Sequence, residues 1–362
     1  MTVGRLAADG STVSGYAAAG VSIEAGDRAV QLMRASVEST RRPEVRGGIG
    51  GFAGLFDAGA LQTYTRPLLA TSTDGVGTKV AIAQAMDRHD SIGIDLVAML
   101  VDDLVVVGAE PLFMTDYLAT GRVVPERVAA IVGGIARACV EAGCALLGGE
   151  TAEHPGLLGP DEYDLAGSTT GVVEADDLLG PHRVRAGDVI VAMRSSGLHS
   201  NGYALVRRVL LQQAGWALDR AVPELGRPLG EELLEPTRLY TRPCLGLARA
   251  GLVHALSHVT GGGLATNLAR VLPDDVTAVV DRGSWSPAPI FTLVGEVGAM
   301  TRPDLEQTLN MGVGMVALLD AGHADAAIRL LAQGGVEAWV AGEVRGSSAG
   351  QGGTAGLVGS YA

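Results

Sequence analysis

The stretch IGIDLVAMLVDDLVVVG, residues 92–108, constrains this chain more than any other. Read at helical spacing it is apolar nearly all round, so it predicts a helix over 91–107 that is buried on every side. It also carries Asp95, Asp102 and Asp103. An acidic residue at a bilayer centre costs roughly 2.5–3.5 kcal/mol, which excludes a membrane span. The helix therefore belongs inside a protein that accommodates carboxylates. Asp95 and Asp102 are seven apart and share a face, whereas Asp103 points about 80° away by the 3.6-residue period. The three cannot all serve one ion. A buried carboxylate without a partner costs several kcal/mol or is forced neutral. Each of these groups needs a cation, an arginine or a helix N-terminus to cap.

With 362 residues there is room for two domains around such a helix. Aromatic residues are only 4% of the chain, so the core is built from Ala, Val, Leu and Ile. A net charge of -13 argues against binding to nucleic acid or to an anionic membrane, both of which want a basic surface. The opening MTVGRLAADGSTVSGY has no apolar signal-peptide core. Cys139, Cys144 and Cys244 have no metal-ligand spacing and read as small buried hydrophobes in a reducing cytosol. The expected location is cytoplasmic.

The pattern along the chain predicts an α/β protein of the α+β type with two domains. Residues 1–20 read as a flexible arm. A helix over 21–40 leads into TRRPEVRGGIGGFAGLFDAGA, whose glycines predict a long irregular loop. PLLATST is a strand, PERVAAIVGGIARACVEAG a helix stopped by Gly143, and CALLGG and STTGVVE further strands. ADDLLGPHRVRAG, over 175–187, reads as a linker. Beyond it DVIVAMR, TAVVD, GMVALLD and VEAWVAGEV are strands, interleaved with helices at 203–215, after GGG, and at 326–335. The expected units are an N-terminal domain over 21–177, a C-terminal α/β sandwich over 178–346, and a flexible tail over 347–362.

Backbone N–H groups crowd together at 47–51, 75–78, 148–149 and 261–263. Such turns bind anions through their free donors. Any one of them is also an ordinary left-handed turn; four fit that reading poorly. None has a standard nucleotide fingerprint: GGIGGFAG follows no buried strand, and DGVGTK lacks the spacing of a Walker A loop. Asp74 closes a strand just before DGVGTK, and Glu150 follows another strand in LLGGE. Carboxylates in apolar settings with few His or Cys partners suit Mg²⁺, which one or two carboxylates hold together with phosphate oxygens. Lys79 is the only lysine among 27 basic residues. A compact charge on a flexible stem beside that turn suits a phosphate contact. His199, in the polar turn SSGLHSNGY between a strand and a helix, is either a structural turn residue or a general acid or base suited to neutral pH.

YAAAGVSIEAGD, TRRPEVRGGIGGF, STDGVGTK, HDSIGIDLVAMLVDDLVVVGAEPLF, DYLATG, GCALLGGETAEHPG, YDLAG, SSGLHSNGY, HVTGGG and MGVGM occur in this order over nearly the whole chain. Together they resemble the phosphoribosylformylglycinamidine cyclo-ligase family, the aminoimidazole ribonucleotide synthetases of purine biosynthesis. The resemblance implies a homodimer formed through the N-terminal mixed sheets. It also implies ATP- and Mg²⁺-dependent closure of formylglycinamidine ribonucleotide to 5-aminoimidazole ribonucleotide, with release of ADP and phosphate. By position it assigns Asp74, Asp103 and Glu150 to the metal, and Gly75, Gly77, Thr78, Lys79 and Gly149 to the nucleotide. Gly48, Gly50 and Gly51 would belong to a mobile lid over 46–54. His199, Lys79 and Asp103 would be catalytic. Ser200, Asn201, Gly261, Gly262 and Gly263 would face the substrate, the three glycines its 5′-phosphate.

The chain departs from the family at Asp102, where relatives often carry Asn, at LATN after the triple glycine, where an aromatic pair is expected, and at Met311, where Cys is familiar. Other ATP-using relatives fit less well. A selenophosphate synthetase needs Cys or selenocysteine in the N-terminal glycine loop, and the first cysteine here is Cys139. The hydrogenase-maturation member ends in Cys, and this chain ends GSYA. Thiamin-phosphate kinases lack the TRRPEV and HSNGY segments. A non-enzymatic nucleotide sensor would keep the phosphate loops and have no use for the His199 turn.

Overall fold

The structure is a computed structural model that describes residues 20–348, 350 and 352–362. The arm expected at the N-terminus lies outside the described residues, Gly20 apart. Strands are β1 (Val45–Arg46), β2 (Leu55–Phe56), β3 (Pro67–Gly75), β4 (Glu110–Thr120), β5 (Ala145–Glu153), β6 (Tyr163–Glu174), β7 (Asp188–Arg194), β8 (Ala221–Val222), β9 (Arg227–Pro228), β10 (Ala255–His258), β11 (Val276–Asp281), β12 (Val313–Asp320), β13 (Ala338–Gly346) and β14 (Thr354–Val358). The helices of the first half are α1 (Ile23–Ser39), α2 (Val80–Met86), α3 (Ile92–Val105) and α4 (Pro125–Ala142).

The N-terminal sheet has the order β3-β6-β4-β5. Only β4 and β5 run parallel, joined through α4 in the crossover that a parallel pair requires. α3 lies against β3 and β6, α4 packs beside α3, and α1 packs on α4. The side chains of β6 alternate: Leu165, Gly167, Thr169 and Gly171 are buried under the helices, and Ala166, Ser168 and Thr170 face outward. The C-terminal sheet has the order β10-β12-β7-β13-β11-β14, antiparallel except where β14 joins β11.

Two expectations for irregular segments are corrected. The glycine loop over 40–60 contains the β1–β2 ribbon, with Val45 opposite Phe56, and Phe56 rests on Phe113 of β4 with ring centroids 5.1 Å apart. The tail contains β14, whose hydrogen bonds to β11 outweigh its poverty in strand-forming residues. The helix expected over 203–215 is α-helical only at Tyr203–Val206 and widens into a π-helix over Arg207–Gln213.

α3 is buried as its composition requires; Leu96, Val97, Leu100 and Val101 are all 0% exposed. Its neighbours come from both halves. One hydrophobic cluster joins Leu96 and Leu100 to Tyr203, Val206, Leu229, Leu233 and Phe291. The polar residues of α3 follow the sequence geometry. Asp95 and Asp102 both meet the segment over 235–241, while Asp103 points elsewhere. Asp95 Oδ1 accepts hydrogen bonds from the Thr237 backbone N–H at 2.8 Å and the Thr237 hydroxyl at 2.7 Å. Asp102 accepts from the Tyr240 N–H at 3.1 Å and the Thr241 hydroxyl at 2.9 Å, capping the helix Thr241–Arg249 from across the molecule. Asp102 is therefore a structural cap and does not face the expected metal.

Lys79 is the third member of this junction, and its expected phosphate contact is corrected. The side chain is 0% exposed. Its ammonium donates to Asp95 Oδ1 at 2.8 Å, to the His199 carbonyl at 3.1 Å and to the Glu235 carbonyl at 2.6 Å. Three donors meet three oxygens in different directions, which suits a tetrahedral ammonium and not a planar guanidinium. Burial pulls its pKa below the ordinary lysine value, against the attraction of Asp95 and Glu235.

Removing one partner of a buried ion pair typically costs about 3–5 kcal/mol, whereas replacing both costs far less. Lys79→Ala is therefore expected to lose that much in urea unfolding, Lys79→Arg to recover little, and the double variant Lys79→Met/Asp95→Asn to recover at least half. Asp102 gives a pH signature. Burial raises its carboxyl from 3.8 to about 6, so the folded chain keeps this proton over an interval in which the unfolded chain has lost it. The stability from this group is present at low pH and lost as pH rises through about 6. Asp102→Asn is expected to gain about 1–3 kcal/mol over the natural chain above that pH. The gain should vanish at acid pH, in thermal melts without Mg²⁺ or nucleotide.

Candidate active site

Asp74 and Asp103 come together where the end of β3 meets α3. The Asp74 carboxylate accepts the Gly75 N–H at 2.7 Å. Asp103 accepts from Nδ1 of His258, the last residue of β10, at 3.0 Å. Burial raises the Asp74 pKa, and the Asp103 charge adds to it, against the Gly75 hydrogen bond and the attraction of His258. Burial alone would lower the His258 pKa. The hydrogen bond to Asp103, with the charges of Asp102, Asp103 and Asp74, outweighs it and raises the value. No hydrogen bond among the described residues falls on Oδ2 of either aspartate. That leaves one carboxylate oxygen of each without a hydrogen bond, with the two groups near enough for the Asp103 charge to act on Asp74.

The turn after Asp74 remains open. Gly77 (φ 73°) and Thr78 are exposed on a single 3₁₀ turn, while the Gly75 and Val76 N–H groups are already bonded within the protein. The glycine lid is the tip of the β1–β2 ribbon. Gly47 and Gly50 have positive φ, and Gly48 and Gly51 are likewise exposed.

Glu150 does not join the aspartates. β3 and β5 are opposite edges of the sheet, so three interstrand spacings put Glu150 about 14 Å from Asp74. Strand register also places it opposite Tyr117 on the outward face, whereas Asp74 lies opposite Gly167 on the helix-covered face. A Mg²⁺ ion with ligands at about 2.1 Å cannot bridge that gap. Gly149 has a packing reason to be glycine: a Cβ there would come within 2.1 Å of Asp116 Oδ1. Burial raises the Asp116 carboxyl to about 7.

His199 lies inside the molecule, 1% exposed, with φ 60°. A left-handed non-glycine residue costs on the order of 1–2 kcal/mol, so its surroundings must impose it. Lys79 holds its carbonyl, and the Ser196 N–H donates to its Nε2 at 3.1 Å, which puts the proton on Nδ1. That Nδ1 is buried without a partner among the described residues. Burial holds the imidazole pKa well below its usual value, and the positive charges of His258, Lys79 and Arg238 add to this. A Cβ on Gly314 would fall 2.4 Å from the His199 ring and 2.2 Å from the Tyr240 hydroxyl, so MGVGM is shaped to seat this imidazole. Asn310 ties that segment to the turn by donating to the Gly197 carbonyl at 2.9 Å.

The residues expected to face the substrate divide. Ser200 is buried and its hydroxyl is engaged with Thr237 at 2.9 Å. Asn201 lies beside the triple-glycine turn, its Oδ1 3.6 Å from where a Gly261 Cβ would stand. Gly262 (φ 93°) and Gly263 (φ 72°) need glycine for their backbone, and a Cβ on Gly263 would collide with the Glu306 carbonyl. Asn267, 3% exposed, shapes the turn by donating to the carbonyls of Thr260, Gly261 and Gly263.

Sequence reasoning missed His258, Asn267, Asn310 and Asp116. The first two stand in or just after HVTGGG, a signal that was present. Asp116 opens DYLATG and Asn310 stands just before MGVGM, so these two also lay in or beside quoted motifs without being singled out.

The family model described as AIR synthase related protein, N-terminal domain, matches residues 56–173, and the C-terminal domain model of the same family matches residues 185–353. The chain is 50% identical over 329 residues to a phosphoribosylformylglycinamidine cyclo-ligase of Geobacillus kaustophilus, covering 91% of this chain and 95% of that one. It is also 50% identical to the enzyme of that name from Shouchella clausii, over the same shares. Among solved structures, the thiamine-monophosphate kinase of Stenotrophomonas maltophilia aligns with a TM-score of 0.66 at 22% identity, covering 92% of this chain and 97% of that one. The hydrogenase maturation protein HypE in complex with ATP aligns with a TM-score of 0.62 at 19% identity, covering 92% and 90%. Those two likenesses concern the fold. By its identity to curated relatives over nine-tenths of its length, this chain belongs to the phosphoribosylformylglycinamidine cyclo-ligase family.

Proposed function

We propose that the protein closes formylglycinamidine ribonucleotide to 5-aminoimidazole ribonucleotide in purine biosynthesis, consuming ATP and releasing ADP and phosphate. Half identity over almost the full length of named cyclo-ligases carries this reading. The substrate's amide oxygen is a poor leaving group. Transfer of the γ-phosphoryl group to it forms an imidate phosphate. The internal nitrogen then attacks that carbon, its proton is lost, and the C–O bond breaks to release phosphate. Such chemistry needs alignment and charge stabilisation more than covalent help from the protein.

Asp74 and Asp103 are the two carboxylates we assign to Mg²⁺. Among the described residues no group of three or more His, Cys, Asp or Glu gathers to hold a metal. Two carboxylates with phosphate oxygens make a normal Mg²⁺ donor set, so the pair fits that ion without Glu150. When bound, Mg²⁺ would neutralise phosphate charge. The exposed Gly77–Thr78 turn and the ribbon tip with Gly48, Gly50 and Gly51 would receive the polyphosphate. Asn201 and the turn Gly261–Gly263 would receive the ribonucleotide. His199, neutral and held in a strained backbone, would orient the turn that carries Asn201.

The outward face of the N-terminal sheet supports the homodimer. It exposes Leu69 at 64% and Tyr117 at 42%, with Thr71, Thr73 and Thr115 between them. An uncovered apolar sheet face of this kind marks an interaction surface. No described helix is long and apolar enough to cross a membrane, and we place the enzyme in the cytoplasm with the rest of this chemistry.

ATP hydrolysis should require formylglycinamidine ribonucleotide, with one ADP per aminoimidazole product; equal ATPase activity without that substrate would defeat the assignment. Asp103→Asn is expected to raise the Mg²⁺ concentration for half-maximal activity by about tenfold or more, a change of roughly 1.4 kcal/mol. An unchanged Mg²⁺ dependence would remove Asp103 from the metal.

A further inference from the structure

His258 is absent from every role assigned above, yet its surroundings are unusual. It closes β10, opposite Met315 of β12, and its side chain is 3% exposed. Its one hydrogen bond is from Nδ1 to Asp103 Oδ1 at 3.0 Å, and Nε2 is buried with no partner among the described residues. Asp103, by contrast, is 41% exposed and belongs to α3 in the other half of the chain. A buried imidazole from the C-terminal half thus anchors a half-exposed carboxylate of the N-terminal half.

An aspartate on a helix surface has several staggered χ1 positions open to it. Asp95 and Asp102 on the same helix are immobilised by Thr237, Tyr240 and Thr241. For Asp103 the only restraint among the described residues is His258. An ionised carboxylate accepts and cannot donate, so the bond requires a proton on Nδ1. In that orientation Asp103 leaves Oδ2 unengaged and stands near enough for its charge to act on Asp74. Partners of this kind, one bond behind a ligand, typically change metal affinity about 10–100-fold when removed.

We propose that His258 is a positioning residue whose Nδ1–H fixes the Asp103 carboxylate beside Asp74 and so sets the affinity of that pair for the divalent cation of a metal–nucleotide complex. This rests on reading Asp74 and Asp103 as cation ligands. It adds a link between the halves: the cation site in the first is completed by a strand end of the second.

The test compares His258→Ala, His258→Gln and His258→Asn with the natural chain and Asp103→Asn. ATP binding is measured by isothermal titration calorimetry over a series of Mg²⁺ concentrations, alongside the Mg²⁺ dependence of turnover. Asparagine places an N–H where Nδ1 stands; glutamine places it one bond further out. The Ala and Gln variants are expected to need about 10–100-fold more Mg²⁺ for half-maximal ATP binding, and the Asn variant to stay within about threefold of the natural chain. Wild-type Mg²⁺ dependence in the Ala and Gln variants, with Asp103→Asn shifted, overturns the role of His258 and leaves the cation reading standing. A His258→Asn shift as large as that of His258→Gln also overturns it, because a misfitted ring and not a lost donor would then be the cause. If Asp103→Asn itself leaves Mg²⁺ dependence unchanged, the cation reading fails and this proposal with it. Should the Ala variant fail to fold, the Asn and Gln pair decides alone.

Discussion

The buried pair of Lys79 and Asp95 is the interaction on which the rest of this molecule depends. Asp95 is fixed in α3, a buried helix with neighbours from both halves, and Lys79 in the turn that follows β3. Between them they collect the Thr237 N–H and hydroxyl and the carbonyls of His199 and Glu235. An ion pair in an apolar interior is weak evidence for stability, since desolvation offsets much of its attraction. Its value here is geometric. It satisfies donors and acceptors only when β3, α3, the His199 turn and the segment over 235–237 are all in register.

That register governs the chemistry. The strand that ends in Lys79's turn also carries Asp74, and the helix that carries Asp95 also carries Asp103. Fixing the first pair therefore fixes the second, one helical face away. Asp102 adds a second clasp to the same segment by capping the helix that begins at Thr241. Two of the three carboxylates of α3 thus bind the segment over 237–241, and the third, Asp103, meets His258 of the other half. On the other side of the junction, Gly314 and Asn310 shape the bed of His199, so MGVGM acts through packing and not through its own side-chain reactivity.

Much of the fold was legible. Strong periodicity located several main helices and most of the long strands, though not the eleven-residue β4 or the helices Thr241–Arg249 and Pro289–Gly298, and the seven-residue spacing of Asp95 and Asp102 was right about the shared face. What failed were segments whose local composition opposes regular structure. The β1–β2 ribbon and β14 exist because neighbouring backbone supplies hydrogen bonds that glycine-rich sequence gives no hint of. In the site, burial cost singled out Asp74, Asp95, Asp102, Asp103 and Glu150 together, and the family resemblance, not burial, drew Asp74, Asp103 and Glu150 into one metal set. Burial cost carries no direction, so it could not reveal that Glu150 stands on the far edge and the opposite face of the sheet. Lys79 was singled out correctly as unusual and matched to the wrong partner: phosphate and a cage of protein oxygens both suit an ammonium.

From the amino-acid order alone came the helices and strands, the interior carboxylates of α3 and the chain's membership of its family, because periodicity and short motifs are local properties. Only the tertiary structure decided which oxygen atoms each charge meets. Lys79 and Glu235 are 156 positions apart, and His258 and Asp103 are 155 apart. No local pattern encodes such pairings; they arise when two sheets close on one helix and bring charged groups from distant parts of the chain within hydrogen-bond reach.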